Sequence, residues 1–285
     1  MIYRTRRTPR VKQCSAKRAD QRRETAMSEQ LLTIKGLTAG TEDKVILSDI
    51  NLEVGAGETH VLMGPNGTGK STLGRIIMGD PAYKVKEGTI TFDGEDITEA
   101  SADKRSLAGI FLSYQAPVEI PGVPLYSFLR TIADKRPDLK MVGRKFRKRV
   151  GEICQQLGIP ESFLTRDLNV GFSGGEKKKI EMLQLLLLKP KLAILDETDS
   201  GLDVDALSVV SKAIAAYKEE CNGSLLMITH NTRILEKLNV DKTHVMVKGN
   251  LVAEGPGSLI DEIDAHGFEQ FEKKAAAEGL TRGDE

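Results

Sequence analysis

Eight consecutive residues, Gly64-Pro65-Asn66-Gly67-Thr68-Gly69-Lys70-Ser71, carry the clearest chemical potential in this sequence. They fit the pattern G-x-x-x-x-G-K-[ST]. A short apolar strand, Thr59–Met63, leads into them, and an amphipathic helix runs from Lys70 to about Met78. Gly67 and Gly69 let backbone N–H groups curl around phosphates, and the N-terminus of the following helix adds the positive end of its dipole. Lys70 is expected to reach β- and γ-phosphates. Ser71 offers a hydroxyl to Mg²⁺, and Thr72 counts with the phosphate-binding turn.

A second constellation lies at Leu192-Ala193-Ile194-Leu195-Asp196-Glu197, an apolar strand that ends in two acids. A buried parallel strand delivers such carboxylates to the catalytic edge of its sheet. Asp196 is then expected to hold Mg²⁺, directly or through water. Glu197, pointing differently, suits a general base that takes a proton from attacking water. A third signal is Phe172-Ser173-Gly174-Gly175-Glu176, where Ser173 is a natural N-cap and Gly174 and Gly175 expose N–H groups at a positive helix end. Two readings stay open there: a capped helix with glycines in its first turn, or an anion site for a nucleotide held by a partner domain.

The elements that must position these groups alternate. Strand-like runs at Leu31–Leu37, Val45–Val54 and Thr59–Met63 precede the Gly-rich loop, and further strands are expected at Gly88–Phe92 and Ala108–Ser113. Pro117, Pro121 and Pro124 then interrupt the pattern. From about 116 to 167 the period is helical, with helices near Leu125–Lys135 and Val142–Leu157, which reads as a helical insertion. Its run Arg144-Lys145-Phe146-Arg147-Lys148-Arg149 reads as a solvated helix face, since only Phe146 is aromatic. Alternation resumes with helix Gly174–Leu188, strand Leu192–Leu195, helix Asp205–Tyr217, strand Ser224–Thr229, helix Thr232–Leu238 and closing strands around His244–Val252. This order implies an α/β fold with a mainly parallel sheet covered on both faces.

With 285 residues, of which 40% are hydrophobic, the chain suffices for one sizeable core with a small insertion, and a single domain over 28–285 is expected. The formal charge of zero conceals an asymmetry, because residues 1–27 hold nine Lys/Arg against two Asp/Glu. The body is therefore net negative, with no general electrostatic attraction for nucleic acid or an anionic membrane. Cys14, Cys154 and Cys221 form no Cys-x-x-Cys, which argues against a zinc site or disulfide framework and for a reducing compartment. Apolar runs such as Leu185–Leu188 fall far short of the roughly 20 residues that span a bilayer. The basic head has no apolar signal core. It is read as a disordered extension or a mis-assigned start, with an organelle transit peptide as the alternative.

Six features occur in the order found in ATP-binding-cassette (ABC) ATPases: the Gly-rich loop, Gln115 after a strand, Ser173–Glu176, Asp196-Glu197, Ser200-Gly201-Leu202-Asp203, and His230 after Leu225–Thr229. The chain resembles that family over about 31–255. The resemblance implies an α/β P-loop NTPase fold of ABC type: a RecA-like core with a mainly parallel sheet, an antiparallel β subdomain and a helical subdomain. It also implies ATP and Mg²⁺ as ligands, with Gln115 sensing both the γ-phosphate and the metal. His230 would be the γ-phosphate switch, Ser173, Gly174 and Gly175 would grip ATP on a second copy, and Asp203 would belong to the loop facing that copy. Leu37–Ile46 lacks the aromatic that usually stacks on adenine, which leaves aliphatic residues such as Val45 for that role. Asp196-Glu197-Thr198-Asp199-Ser200-Gly201-Leu202-Asp203, the Gln115–Val123 stretch and Phe-Ser-Gly-Gly-Glu-Lys-Lys-Lys further resemble the SufC family, the ATPases of the Suf iron–sulfur cluster assembly system. That similarity implies SufB-like and SufD-like scaffold partners, a transient dimer of the ATPase on ATP binding, and a cytoplasmic location, or the plastid stroma if residues 1–26 are a transit peptide. The ATP-binding subunit of a membrane transporter is the competing reading.

Overall fold

The structure, a computed structural model, describes residues 30–280, so the expectations for the basic head and Cys14 lie outside the described residues. Two sheets build the core. The first is antiparallel, in the order β2-β1-β4-β5, from β1 (Gln30–Gly40), β2 (Val45–Gly55), β4 (Lys84–Phe92) and β5 (Glu95–Asp96). The second has six strands in the order β12-β11-β3-β10-β9-β6. It comprises β3 (Thr59–Met63), β6 (Ile110–Ser113), β9 (Leu192–Asp196), β10 (Ser224–Ile228), β11 (Lys242–Val247) and β12 (Asn250–Gly255). All its pairings are parallel except that of β12 on β11.

Every residue of β3, β9 and β10 is buried, as continuous apolar runs in a sheet covered on both faces should be. Alternation along these strands divides the interior. Val61, Met63, Ala193, Leu195, Leu225 and Met227 face one core, with helices α5 (Gly174–Leu188) and α6 (Val204–Cys221). Leu62, Ile194, Leu226 and Ile228 face the other, closed by α1 (Lys70–Met78) and the antiparallel sheet. The helices α3 (Leu125–Lys135) and α4 (Gly143–Leu157) extend the first core through Leu129, Phe146, Val150 and Ile153. The basic residues 144, 145, 147 and 148 remain exposed around buried Phe146, so the run is a solvated face.

Several local expectations are corrected. The segment before β6 is a helix, α2 (Ala102–Ala108), stopped by Gly109 at φ 113° with its N–H on the carbonyls of Arg105 and Ser106, so the strand begins only at Ile110. The stretch read as wholly helical is bracketed by β7 (Ile120–Pro124) pairing antiparallel with β8 (Asp167–Leu168), which the prolines tolerate because the pairing is short and irregular. Thr232–Leu235 forms only a 3₁₀ turn. Beyond β12, the helices α7 (Leu259–His266) and α8 (Glu269–Ala277) seal the first core with Ile260, Ile263 and Phe271.

Candidate active site

The Gly-rich loop leaves β3 at its carboxyl end, where space dictates residue type. At Gly64, φ is 147° and a Cβ would lie 2.1 Å from the Met246 carbonyl oxygen. At Gly69, φ is 106° and a Cβ would lie 2.8 Å from a Leu47 methyl. Both sites therefore admit only glycine. Gly69 also begins α1 without a side-chain cap, so no side chain competes for the helix's first N–H groups. Thr68 Oγ1 donates to the Pro65 carbonyl at 3.0 Å and stiffens the turn around Asn66 and Gly67. Lys70, 5% exposed, donates from Nζ to the carbonyls of Gly64 at 2.7 Å and Pro65 at 2.9 Å. Burial lowers the proton affinity of that amine, while the nearby charges of Glu197 and Asp196 oppose the shift.

The acids arrive from β9. Asp196, the last residue of the strand, accepts a hydrogen bond at 3.0 Å from Ser71 Oγ at the start of α1, beside Thr72. Burial raises its pKa above the ordinary aspartate value, and the Ser71 bond pulls the other way. The hydroxyl of Ser71 and the carboxylate of Asp196 are a hard-oxygen pair next to an uncapped helix end. That donor set fits Mg²⁺. Glu197 stands at φ 45°, a left-handed conformation costly for a side-chain-bearing residue, while its N–H still donates to the Ile228 carbonyl at 2.8 Å. The chain thus turns out of the ladder at the residue whose carboxylate must face the site. Gln115 Nε2 donates to Glu197 Oε2 at 2.5 Å, and His230 Nε2 lies 3.8 Å from Glu197 Oε1. His230 has its proton affinity lowered by burial and then by Lys70, with Glu197 and Asp199 opposing. It sits inside a turn in which Thr229 Oγ1 donates to Asp199 at 3.0 Å and accepts from the Asn231 N–H at 2.9 Å.

Lys70, Ser71, Asp196, Glu197, Gln115 and His230 are thereby linked at one edge of the sheet, through direct contacts or mutual electrostatic influence. Ser173 and Asp203 commit their side chains differently. Ser173 forms a capping box with Glu176, and Asp203 caps α6 by accepting from the Ala206 N–H at 2.7 Å. The two caps are neighbours, since a Cβ on Gly175 would sit 3.6 Å from Ala206 Cβ, in the range of ordinary contact. A cleft of about 230 Å³ joins this corner to the first, lined by Gln115, Pro117, Gly174, Lys177 and Ser200. Leu47, Ile46 and Met246 are the side chains that approach Gly69, and Val45 is half-buried at the start of β2.

Sequence reasoning missed the layer behind Gln115. Lys178 and Glu181, 4% and 5% exposed, form an ion pair of 2.9 Å beneath it. The run Glu176-Lys177-Lys178-Lys179 reads as a polar helix face, and only the apolar residues flanking it in α5 hint that one lysine points inward.

The fold and this edge define a P-loop nucleotide-binding cassette. A family model described as ABC transporter matches residues 47–200. The chain is 45% identical over 261 residues to Vegetative protein 296 of Bacillus subtilis, covering 91% of this chain and all of that protein. It is 43% identical to the iron-sulfur cluster assembly protein SufC of Plasmodium falciparum, covering 86% of this chain and 72% of that protein. A solved dimeric structure of the ATP-binding cassette MJ0796, in a post-hydrolysis state bound to ADP and Pi, shares the fold. Its TM-score is 0.68 at 21% identity, covering 79% of this chain and 98% of that one. The chain therefore belongs to the ABC ATPases and, within them, to the group of relatives that includes SufC. Among the described residues no helix is long and apolar enough to cross a membrane.

Proposed function

We propose that this chain is a Mg²⁺-dependent ATPase that energises iron–sulfur cluster assembly on a scaffold of SufB-like and SufD-like proteins. One observation carries the catalytic part: the Gly64–Ser71 loop, Asp196, Gln115, Glu197 and His230 converge at the carboxyl ends of β3, β6, β9 and β10. ATP phosphates lie along the loop N–H groups, with Lys70 against the β- and γ-phosphates. Ser71, Asp196 and Gln115 would hold Mg²⁺, which would offset the negative charge that develops on the phosphate oxygens. Glu197 orients a water and takes its proton as the water oxygen bonds to the γ-phosphorus and the bond to the ADP oxygen breaks. His230, whose proton affinity burial and Lys70 lower, donates a hydrogen bond to the γ-phosphate. Ser173, Gly174, Gly175 and Asp203 serve the ATP of a second copy, so two chains close face to face and separate once the γ-phosphate is gone. The dimeric MJ0796 cassette supports that arrangement by its fold, and the SufC relative supports the assembly role. The cytoplasm, or the plastid stroma if residues 1–26 are a transit peptide, is the proposed location. We place residues 28–285 in one cassette, with its helical insertion over about 116–167.

Relatives described as probable ATP-dependent transporters, such as ycf16 of Pyropia yezoensis, keep a second reading in view, the ATP-binding subunit of a membrane transporter. A pull-down of the tagged full chain from native extract, with mass spectrometry of the bound proteins, separates the two. Recovery of SufB-like and SufD-like proteins is the expected result, and recovery of a membrane permease in their place overturns the assembly role.

A further inference from the structure

We infer that Glu181, with Lys178, is a positioning residue that fixes Gln115 by holding both backbone polar groups of the residue before it. β6 ends at Ser113, so Tyr114 is the first residue beyond the sheet ladder. Its N–H donates to Glu181 Oε1 at 3.1 Å, and its carbonyl accepts from Lys178 Nζ at 2.6 Å. Glu181 Oε2 also accepts from Ser113 Oγ at 2.8 Å and pairs with Lys178 at 2.9 Å, closing a ring of polar contacts between α5 and this one peptide segment. Burial pushes the Glu181 carboxyl up, while Lys178, Ser113 and the Tyr114 N–H act against that shift.

The ring replaces strand pairing with side-chain pairing at the point where the chain must aim Gln115 at Glu197, 2.5 Å away. A buried ion pair is weak evidence for stability in itself, because desolvation offsets its attraction. Its geometric effect is definite. Tyr114 cannot rotate either peptide polar group without leaving a buried charge short of a partner. The same helix begins at Ser173–Gly175, so the orientation of that segment and of Gln115 are set by one rigid element. The ring thus acts as a gauge of α5 position at the reacting centre.

This inference rests on the role proposed for Gln115, and a double-mutant cycle on the full chain separates the two. ATP turnover with Mg²⁺ is measured for Gln115→Ala, for Lys178→Met/Glu181→Leu, which leaves no buried charge unpaired, and for the combination. Removing the ring is expected to lower kcat about tenfold with KM for ATP changed less than about threefold, because a misplaced group loses rate more than affinity. In the Gln115→Ala background the same change is expected to cost less than about twofold. Parental kcat without the ring, or an equal loss in both backgrounds, overturns the inference. If Gln115→Ala itself keeps parental turnover, the role given to Gln115 fails and the inference falls with it. Should the double variant lack a cooperative thermal transition, Ser113→Ala carries the test. It is then expected to lower kcat about two- to threefold in the parental chain and not in Gln115→Ala, and an unchanged kcat or an equal loss in both backgrounds overturns the inference.

Discussion

The two ends of the parallel sheet are built from the same strands and use polar groups in opposite ways. At the carboxyl ends of β3, β9 and β10, the charge of Glu197 acts on Lys70, Asp196 and His230, and Glu197 tolerates a left-handed backbone to take its place. Toward the amino ends, several polar groups are paired off in closed sets, although the buried Thr59 and Thr243 hydroxyls make no hydrogen bond. Ser224 bridges Gly57 and Gly55, Asp241 accepts the Thr59 N–H at 2.8 Å, and Lys218 serves the Gly57 and Gly223 carbonyls. From Glu58, just before β3, to Glu254 on β12 runs a chain of contacts whose two histidines are buried: Glu58 to His60 at 2.9 Å, His60 to His244 at 3.0 Å, and His244 to Glu254 at 3.4 Å. Parallel strands send helix N-termini and their loops to one edge only, so ligand chemistry gathers there and the other edge is left to hold the sheet together.

If that division is right, changes at the two ends should separate activity from stability. Lys70→Ala is expected to cost at least about 100-fold in ATP turnover, as loss of a preorganised donor does, with the thermal midpoint within about 4 °C of the parental chain. A large drop in midpoint would mean the lysine holds the loop together instead. Gly64→Ala falls between the classes, since its Cβ would meet the Met246 carbonyl at 2.1 Å. Chemical denaturation should show a loss of about 1–3 kcal/mol, and nucleotide titration a weakened affinity. At the opposite end, burial, then His60 and Lys242, push the His244 imidazole down to about 4 from its ordinary 6.5, against the pull of Glu254. The unfolded imidazole takes up a proton as pH falls through 6.5, while the folded one stays neutral until about 4. Folding should therefore weaken across that window, by on the order of 2–3 kcal/mol from this group, and recover as pH rises. His244→Gln should flatten that part of the stability–pH profile and leave turnover at neutral pH unchanged, which equilibrium unfolding and steady-state kinetics can check together.

The same contrast explains what could be read in advance. The apolar runs Thr59–Met63, Leu192–Asp196 and Ser224–Ile228 announce buried parallel strands, and the Gly-rich loop and the Asp196-Glu197 pair announce a phosphate-handling edge, because each is local in the chain. The closed sets at the other end are not local: His60 and His244 lie 184 positions apart, and neither has a neighbour that marks it as paired. Ala102–Ala108 escaped as a helix because seven residues hold too few apolar positions to show a period. Lys178 and Glu181 escaped because a lysine run reads as a wet surface until the Tyr114 peptide is seen beneath it. Pairing between distant segments needs the fold before it can be seen.

The most direct test of the account is Glu197→Gln on the full chain with Mg²⁺ and ATP, following turnover and mass by sedimentation in the same samples. Turnover is expected to fall at least about 100-fold, the worth of a general base. An ATP-dependent dimer is expected to persist, because the γ-phosphate proposed to hold two chains together is no longer removed. Turnover at the parental rate, with no dimer appearing when ATP is added, would contradict the account.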